Sequence, residues 1–125
     1  MRHNSIVDGE QFDYLEEYPD LQLVAYSPVT KGLYSNASRR SRDFPVMSAY
    51  YGEDADARLA AVDRVAAATG ATGNQVVLAW MMARQTPRVL PLMGPRTWDQ
   101  YLENIEALDV ELSADQLAEL DGAGA

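Results

Sequence analysis

Cysteine is absent from the 125 residues, and lysine and histidine occur once each, as Lys31 and His3. No disulfide framework can form, and no thiolate is available as a nucleophile or metal ligand. A reducing cytoplasm is therefore the expected compartment, and no metal site is expected. His3, close to the first residue, reads as a solvated side chain outside any catalytic motif. Long apolar runs are missing too. Met1 to Gln11 lacks the apolar centre of a signal peptide, and no stretch approaches the roughly 20 apolar residues that a bilayer span requires. Secretion and membrane insertion are both disfavoured. Positive charge is scarce: 10 basic residues face 19 acidic ones, a formal charge of -9. That balance disfavours phosphate backbones and anionic membrane surfaces as partners. Ala71 to Trp80 loosely imitates a helix-turn-helix, but its second helix has few polar side chains to read base edges, so no nucleic-acid partner is expected.

What is present is enough apolar residue, 47% of the chain, for one core in a single unit spanning residues 1–125. Asp8 and Gln11 frame a short helix through Tyr18, which Pro19 stops. Leu21, Leu23, Val24, Ala25 and Tyr26 form a nearly unbroken apolar run, predicting a strand buried on both faces of a parallel sheet. Ser27 and Pro28 end it. Residues 29–53 show no sustained period and carry a basic cluster at Arg39, Arg40 and Arg42. Such a long irregular stretch suits a cofactor or substrate loop, while the arginines read more readily as a solvated face than as a cofactor clamp or substrate lid.

Asp54 or Asp56 is placed to cap a helix in which Leu59, Val62, Val65 and Ala66 repeat with helical spacing until Gly70. Thr72 and Gln75 form a capping box for a second helix carrying Val76, Val77, Leu78, Trp80 and Met81 as packing residues, ending at Pro87. Val89, Leu90, Leu92 and Met93 make a second buried strand, with Pro91 demanding an edge position or an irregular ladder. Thr97 with Gln100, and Ser113 with Gln116, open two final helices. The strands are separated by a long helical crossover, so their pairing is predicted to be parallel. Two parallel strands cannot satisfy their outer backbone groups or cover two apolar faces. Their neighbours are therefore expected from further sequence, from self-association or from a complementary chain.

In parallel α/β folds, function gathers at the C-terminal ends of the strands. Two segments qualify. Tyr26-Ser27-Pro28-Val29-Thr30-Lys31-Gly32 offers an aromatic face, hydroxyls, backbone donors and a cation. Gly94-Pro95-Arg96-Thr97 precedes a helix whose first turn presents unpaired N–H groups, an arrangement suited to phosphate. Arg96 adds a guanidinium fork suited to a phosphate monoester.

These segments carry a family likeness. AYSPVTKG, then RLAAVDRVAAATGATGNQVVLAW, VLPLMGPRTWDQYLENIEAL and LDVELSADQLAELD, resemble in order and spacing the closing part of an aldo-keto reductase. The resemblance covers residues 19–122. It implies an eight-stranded parallel (β/α)8 TIM barrel, normally of about 250 residues, of which this chain is the C-terminal portion with strands seven and eight and their helices. It also implies NADP (NADPH) as cofactor and, for the whole enzyme, a small carbonyl substrate. By position, Tyr26 resembles the aromatic residue stacked on the nicotinamide, while Ser27, Val29 and Gly32 match the loop around the pyrophosphate, with Lys31 adding charge. Gly94, Arg96 and Thr97 match positions around the 2′-phosphate, and Gln100 and Asn104 those approaching the adenine; Gln100 is also a capping partner for Thr97. The family's tyrosine, lysine, aspartate and histidine have no matching motif here, so the resemblance implies cofactor recognition without catalytic residues.

Overall fold

A computed structural model describes residues 9–41 and 52–124. The expected cap at Asp8, together with His3 and Arg42, lies outside the described residues, as does most of the second half of the irregular stretch.

Helix α1 (Gly9–Glu17) precedes strand β1 (Leu23–Tyr26). The irregular stretch contains two short 3-10 turns, Thr30–Gly32 and Ala37–Arg40, the second capped by the Asn36 side chain. Helix α2 (Glu53–Thr69) follows, then α3 (Gly73–Ala83) and β2 (Val89–Leu92). Helix α4 (Trp98–Glu106) runs into a 3-10 turn at Ala107–Asp109, and α5 (Ala114–Gly122) comes last. None of these helices is long and apolar enough to cross a membrane.

Local chemistry accounts for most of the boundaries. Reciprocal capping boxes hold the starts of α3, through Thr72 and Gln75, and of α5, through Ser113 and Gln116. Gly70 ends α2 in the left-handed conformation at φ 73°. The start of α2 differs from expectation: the cap position belongs to Gly52, with no side-chain cap bond, and Asp54 and Asp56 sit inside the first turn. There their charge complements the positive end of the helix. Helix α3 ends at Ala83, four residues before Pro87.

The sheet is parallel, with Leu23, Val24, Ala25 and Tyr26 paired to Val89, Leu90, Pro91 and Leu92 in that order. Pro91 therefore sits in a strand with one unpaired edge among the described residues, as its missing N–H requires. The expectation of strands buried on both faces is corrected. Leu23, Ala25, Val89 and Pro91 turn toward the helices and are half-buried. Val24, Tyr26, Leu90 and Leu92 share the opposite face and are exposed by 56%, 77%, 49% and 52%. Their apolar character suits a covered surface, yet the described residues put nothing over them.

The core lies on the helical side. Val62 and Val65 of α2 meet Val76 and Val77 of α3, with Tyr34, Met81, Leu112 and Leu120 packed around them. Gly73 through Ala79 are all buried. A helix without a polar face is stable only when enclosed, and α3 is enclosed by β2, α2 and α4. This central helix holds the strands and α4 in fixed relation.

Candidate functional site at the strand ends

Parallel register brings the two sequence-predicted segments to one edge of the molecule. Tyr26 and Leu92 are direct partners, so the loop beginning at Ser27 and the turn through Gly94 leave the same end of the sheet side by side. Each segment is then shaped by different means.

The first loop is built from unusual backbone. Ser27, Thr30 and Lys31 have φ of 55°, 46° and 57°, and Gly32 follows at 82°. For a β-branched residue such as Thr30 this region is disfavoured, because the side chain crowds the backbone. Short bonds close the turn: Thr30 N–H donates to the Ser27 carbonyl at 3.0 Å, and Gly32 N–H to the Val29 carbonyl at 2.8 Å. Tyr26, at the strand end, presents its ring on the open face of the sheet. Leu33 is buried and anchors the far side of the turn.

Beyond this turn, Arg39 and Arg40 are half-buried and engaged by the chain rather than forming a solvated face. Arg39 Nη1 donates to the Lys31 carbonyl. Arg40 donates from Nε to the Leu33 carbonyl at 3.2 Å and from Nη2 to the Tyr34 carbonyl at 2.7 Å. It also forms a two-pronged pair with Asp63 of α2, at 2.6 and 2.7 Å. The Arg40 bond holds the Asp63 carboxyl below the ordinary carboxylate range, and the same bond raises the Arg40 guanidinium.

In the second segment Gly94, Arg96, Thr97 and Gln100 are exposed, and Asn104 is half-buried. Thr97 Oγ1 accepts from Gln100 N–H at 3.2 Å, as a capping residue should. The Gln100 side chain does not return to Thr97. Its Oε1 accepts from Arg96 N–H at 2.8 Å, so the box is displaced by one residue and Gln100 is committed to fixing the Arg96 backbone. A Cβ at Gly94 would meet nothing within 4 Å, leaving open space beside the turn.

Glu103 was not singled out by the sequence, yet it joins the two segments. Its Oε1 accepts from Thr72 Oγ1 at 2.7 Å, from Ser35 Oγ at 3.2 Å and from Asn74 Nδ2 at 3.5 Å. Ser35 Oγ in turn accepts from Asn74 N–H at 2.9 Å. The first loop, the start of α3 and the middle of α4 thus converge on one carboxylate. Asn74 is buried and its Oδ1 has no partner. Exchanging its two amide atoms would set that oxygen against Glu103, so the orientation follows from the carboxylate. The available sequence signal was Glu103 itself, a carboxylate on α4 between the apolar residues Leu102 and Ile105.

A separate cleft of about 510 Å³ lies on the helical side of the sheet, lined by Leu23, Val89, Trp80, Met81 and Leu120 among others. It includes the first residue of each strand and belongs to the packing layer rather than to the loops at the strand ends.

Comparison with known proteins shows what the chain is similar to. The sequence pattern of the Aldo/keto reductase family matches residues 3–125. Protein tas of Escherichia coli (strain K12) is 34% identical over 116 residues, a match covering 86% of this chain and 33% of that protein. Protein tas of Shigella flexneri gives the same identity and coverage. The chain spans about a third of the length of these relatives.

Proposed function

The chain belongs to the aldo/keto reductase family, and from that premise we propose that it is the cofactor-binding portion of an NADPH-dependent oxidoreductase acting on aldehydes or ketones. The supporting observation is the pairing of Tyr26 with Leu92, which sets the left-handed turn at Ser27–Gly32 beside the start of α4. In this reading the two strands are the seventh and eighth of a (β/α)8 barrel.

The residues fit a dinucleotide. Tyr26 offers an exposed aromatic face for the nicotinamide, and the turn with Ser27, Val29, Lys31 and Gly32 receives the pyrophosphate. Arg96 and Thr97, with the first turn of α4, receive the 2′-phosphate, while Asn104 and Gln100 flank the adenine. Asp99 lies in the same first turn and opposes an anion, so discrimination between NADPH and NADH rests on Arg96. The bound nicotinamide would supply the hydride, and this chain's own part is to bind and orient it. The proton donor and its partners come from outside these 125 residues, which makes the isolated chain inactive in carbonyl reduction.

Fluorescence titration of the purified chain with NADPH and NADH tests the reading. Saturable binding that favours NADPH, with the preference lost in Arg96→Ala, is the expected result. Absence of binding to either dinucleotide would reject it.

A second reading is favoured by the exposed sheet face. Val24, Tyr26, Leu90 and Leu92 form an apolar surface on a two-stranded sheet. A chain with that surface would self-associate or dock on a complementary chain, as a half-barrel subunit. Light scattering of the purified chain separates this reading from an isolated monomer.

A further inference from the structure

Arg39 and Arg40 of the irregular stretch are unexplained by dinucleotide binding itself, because their guanidinium groups are turned inward onto the chain. Between them they satisfy the carbonyls of Lys31, Leu33 and Tyr34. The Lys31 carbonyl belongs to the segment in which Thr30, Lys31 and Gly32 all have positive φ, and Leu33 and Tyr34 follow that segment directly. For non-glycine residues such a conformation is disfavoured and persists only where the surroundings over-determine it. The described contacts of the turn include few that could do so. Leu33 is buried beneath it, and Ser35 is held by Asn74 and Glu103. The other fixed points are Arg39, on the Lys31 carbonyl, and Arg40, which ties the two carbonyls after the turn to a helix.

We propose that Arg40 is the positioning residue of this strand-end loop, with Asp63 as its anchor on α2. Its guanidinium uses one edge and one tip on the carbonyls of Leu33 and Tyr34 and both tips on the carboxylate of Asp63. A planar fork with donors on all sides suits this task, and a lysine ammonium, as a point charge, would not span the three acceptors. Asp63 stands on a helix whose neighbouring residues Val62 and Val65 are core, so the anchor is rigid. The arrangement transmits the position of α2 to the turn at Ser27–Gly32. The clamp is independent of any ligand, but its bearing on dinucleotide affinity rests on the cofactor reading given above.

The sequence provides a clean reporter. Lys31 is the only lysine and lies inside the turn, so a lysine-specific endoprotease has one site in the chain. The same helix also provides a control, since Arg64 Nε pairs with Glu119 of α5 at 2.6 Å, away from the loop. Cleavage at Lys31 is expected to accelerate at least tenfold in Arg40→Ala and by a smaller factor in Asp63→Asn, which keeps both carbonyl bonds. Arg64→Ala is expected to be cut at the wild-type rate. NADPH affinity should fall about tenfold in Arg40→Ala and stay unchanged in Arg64→Ala. If Arg40→Ala and Asp63→Asn melt earlier while both are cut at Lys31 at the wild-type rate, Arg40 is only a stability contact and the proposal is overturned. Should the wild-type chain bind no NADPH, the cofactor reading fails by itself, and the cleavage rates still decide the clamp.

Discussion

The carbonyl of Tyr34 lies against Gly73 with no space for a side-chain carbon between them: a Cβ on Gly73 would sit 2.7 Å from the Tyr34 carbonyl carbon. This contact sets the first turn of α3 against the same carbonyl that Arg40 holds by a hydrogen bond. Gly73 is thus required by close approach rather than by backbone torsion.

Gly73→Ala is expected to destabilise the chain by about 1–3 kcal/mol, the usual cost of overpacking, despite alanine's better helix propensity. Urea denaturation followed by far-UV circular dichroism measures it. A neutral or stabilising substitution would show that Tyr34 can retreat freely.

Thr72 serves two structures at once. Its hydroxyl accepts from Gln75 N–H and donates to Glu103. Thr72→Ala is expected to cost about 1–2 kcal/mol through loss of the cap and the added bond. Glu103→Gln should leave the cap intact and cost less. Equal losses in the two variants would contradict that division.

Acid should loosen the α2 end of the clamp. Because the folded Asp63 carboxyl is held below its ordinary value, it takes up a proton more readily in the unfolded chain. Its stabilising contribution is complete above the usual carboxylate pKa of about 4 and declines as pH falls through the depressed folded value. Asp63→Asn should therefore flatten the decline of melting temperature below about pH 4 relative to wild type. The contribution is small, since both partners are partly solvated. Identical acid limbs for the two proteins would remove Asp63 from the account.

The open sheet face is expected to drive association. Leu90→Lys places a charge at the centre of that face, where Leu90 is 49% exposed. Multi-angle light scattering should show wild-type chain above monomer mass and the variant shifted toward monomer. A monodisperse wild-type monomer would reject the idea.

The sequence disclosed what depends on neighbours along the chain. Thr72 with Gln75 and Ser113 with Gln116 are short-range hydrogen-bond partners, and the apolar runs at Leu23–Tyr26 and Val89–Leu92 are visible as composition. Other features depend on distant encounters. Arg40 finds Asp63 across the irregular stretch, so no local pattern announces the pair, and a basic cluster naturally reads as a solvated face. Glu103 was hidden for the same reason, since its three donors come from two other segments. Burial of both sheet faces was inferred from residue type alone, and Val24, Tyr26, Leu90 and Leu92 are exposed because a face is covered only where something lies over it. Gln100 shows the limit of a motif: the right residue at the right spacing bonded one residue upstream.

Parallel pairing of Leu23–Tyr26 with Val89–Leu92 also has a temporal consequence. Both α2 and α3 lie between the strands, so the sheet cannot zip until a long loop has closed. The α2–α3 pair, joined through only Gly70, Ala71 and Thr72, can form from contacts close in sequence. Pulsed hydrogen exchange during refolding should therefore protect amides of α2 and α3 before those of Val24 and Ala25. The surface that places the two loops side by side would be the last part of the molecule to assemble.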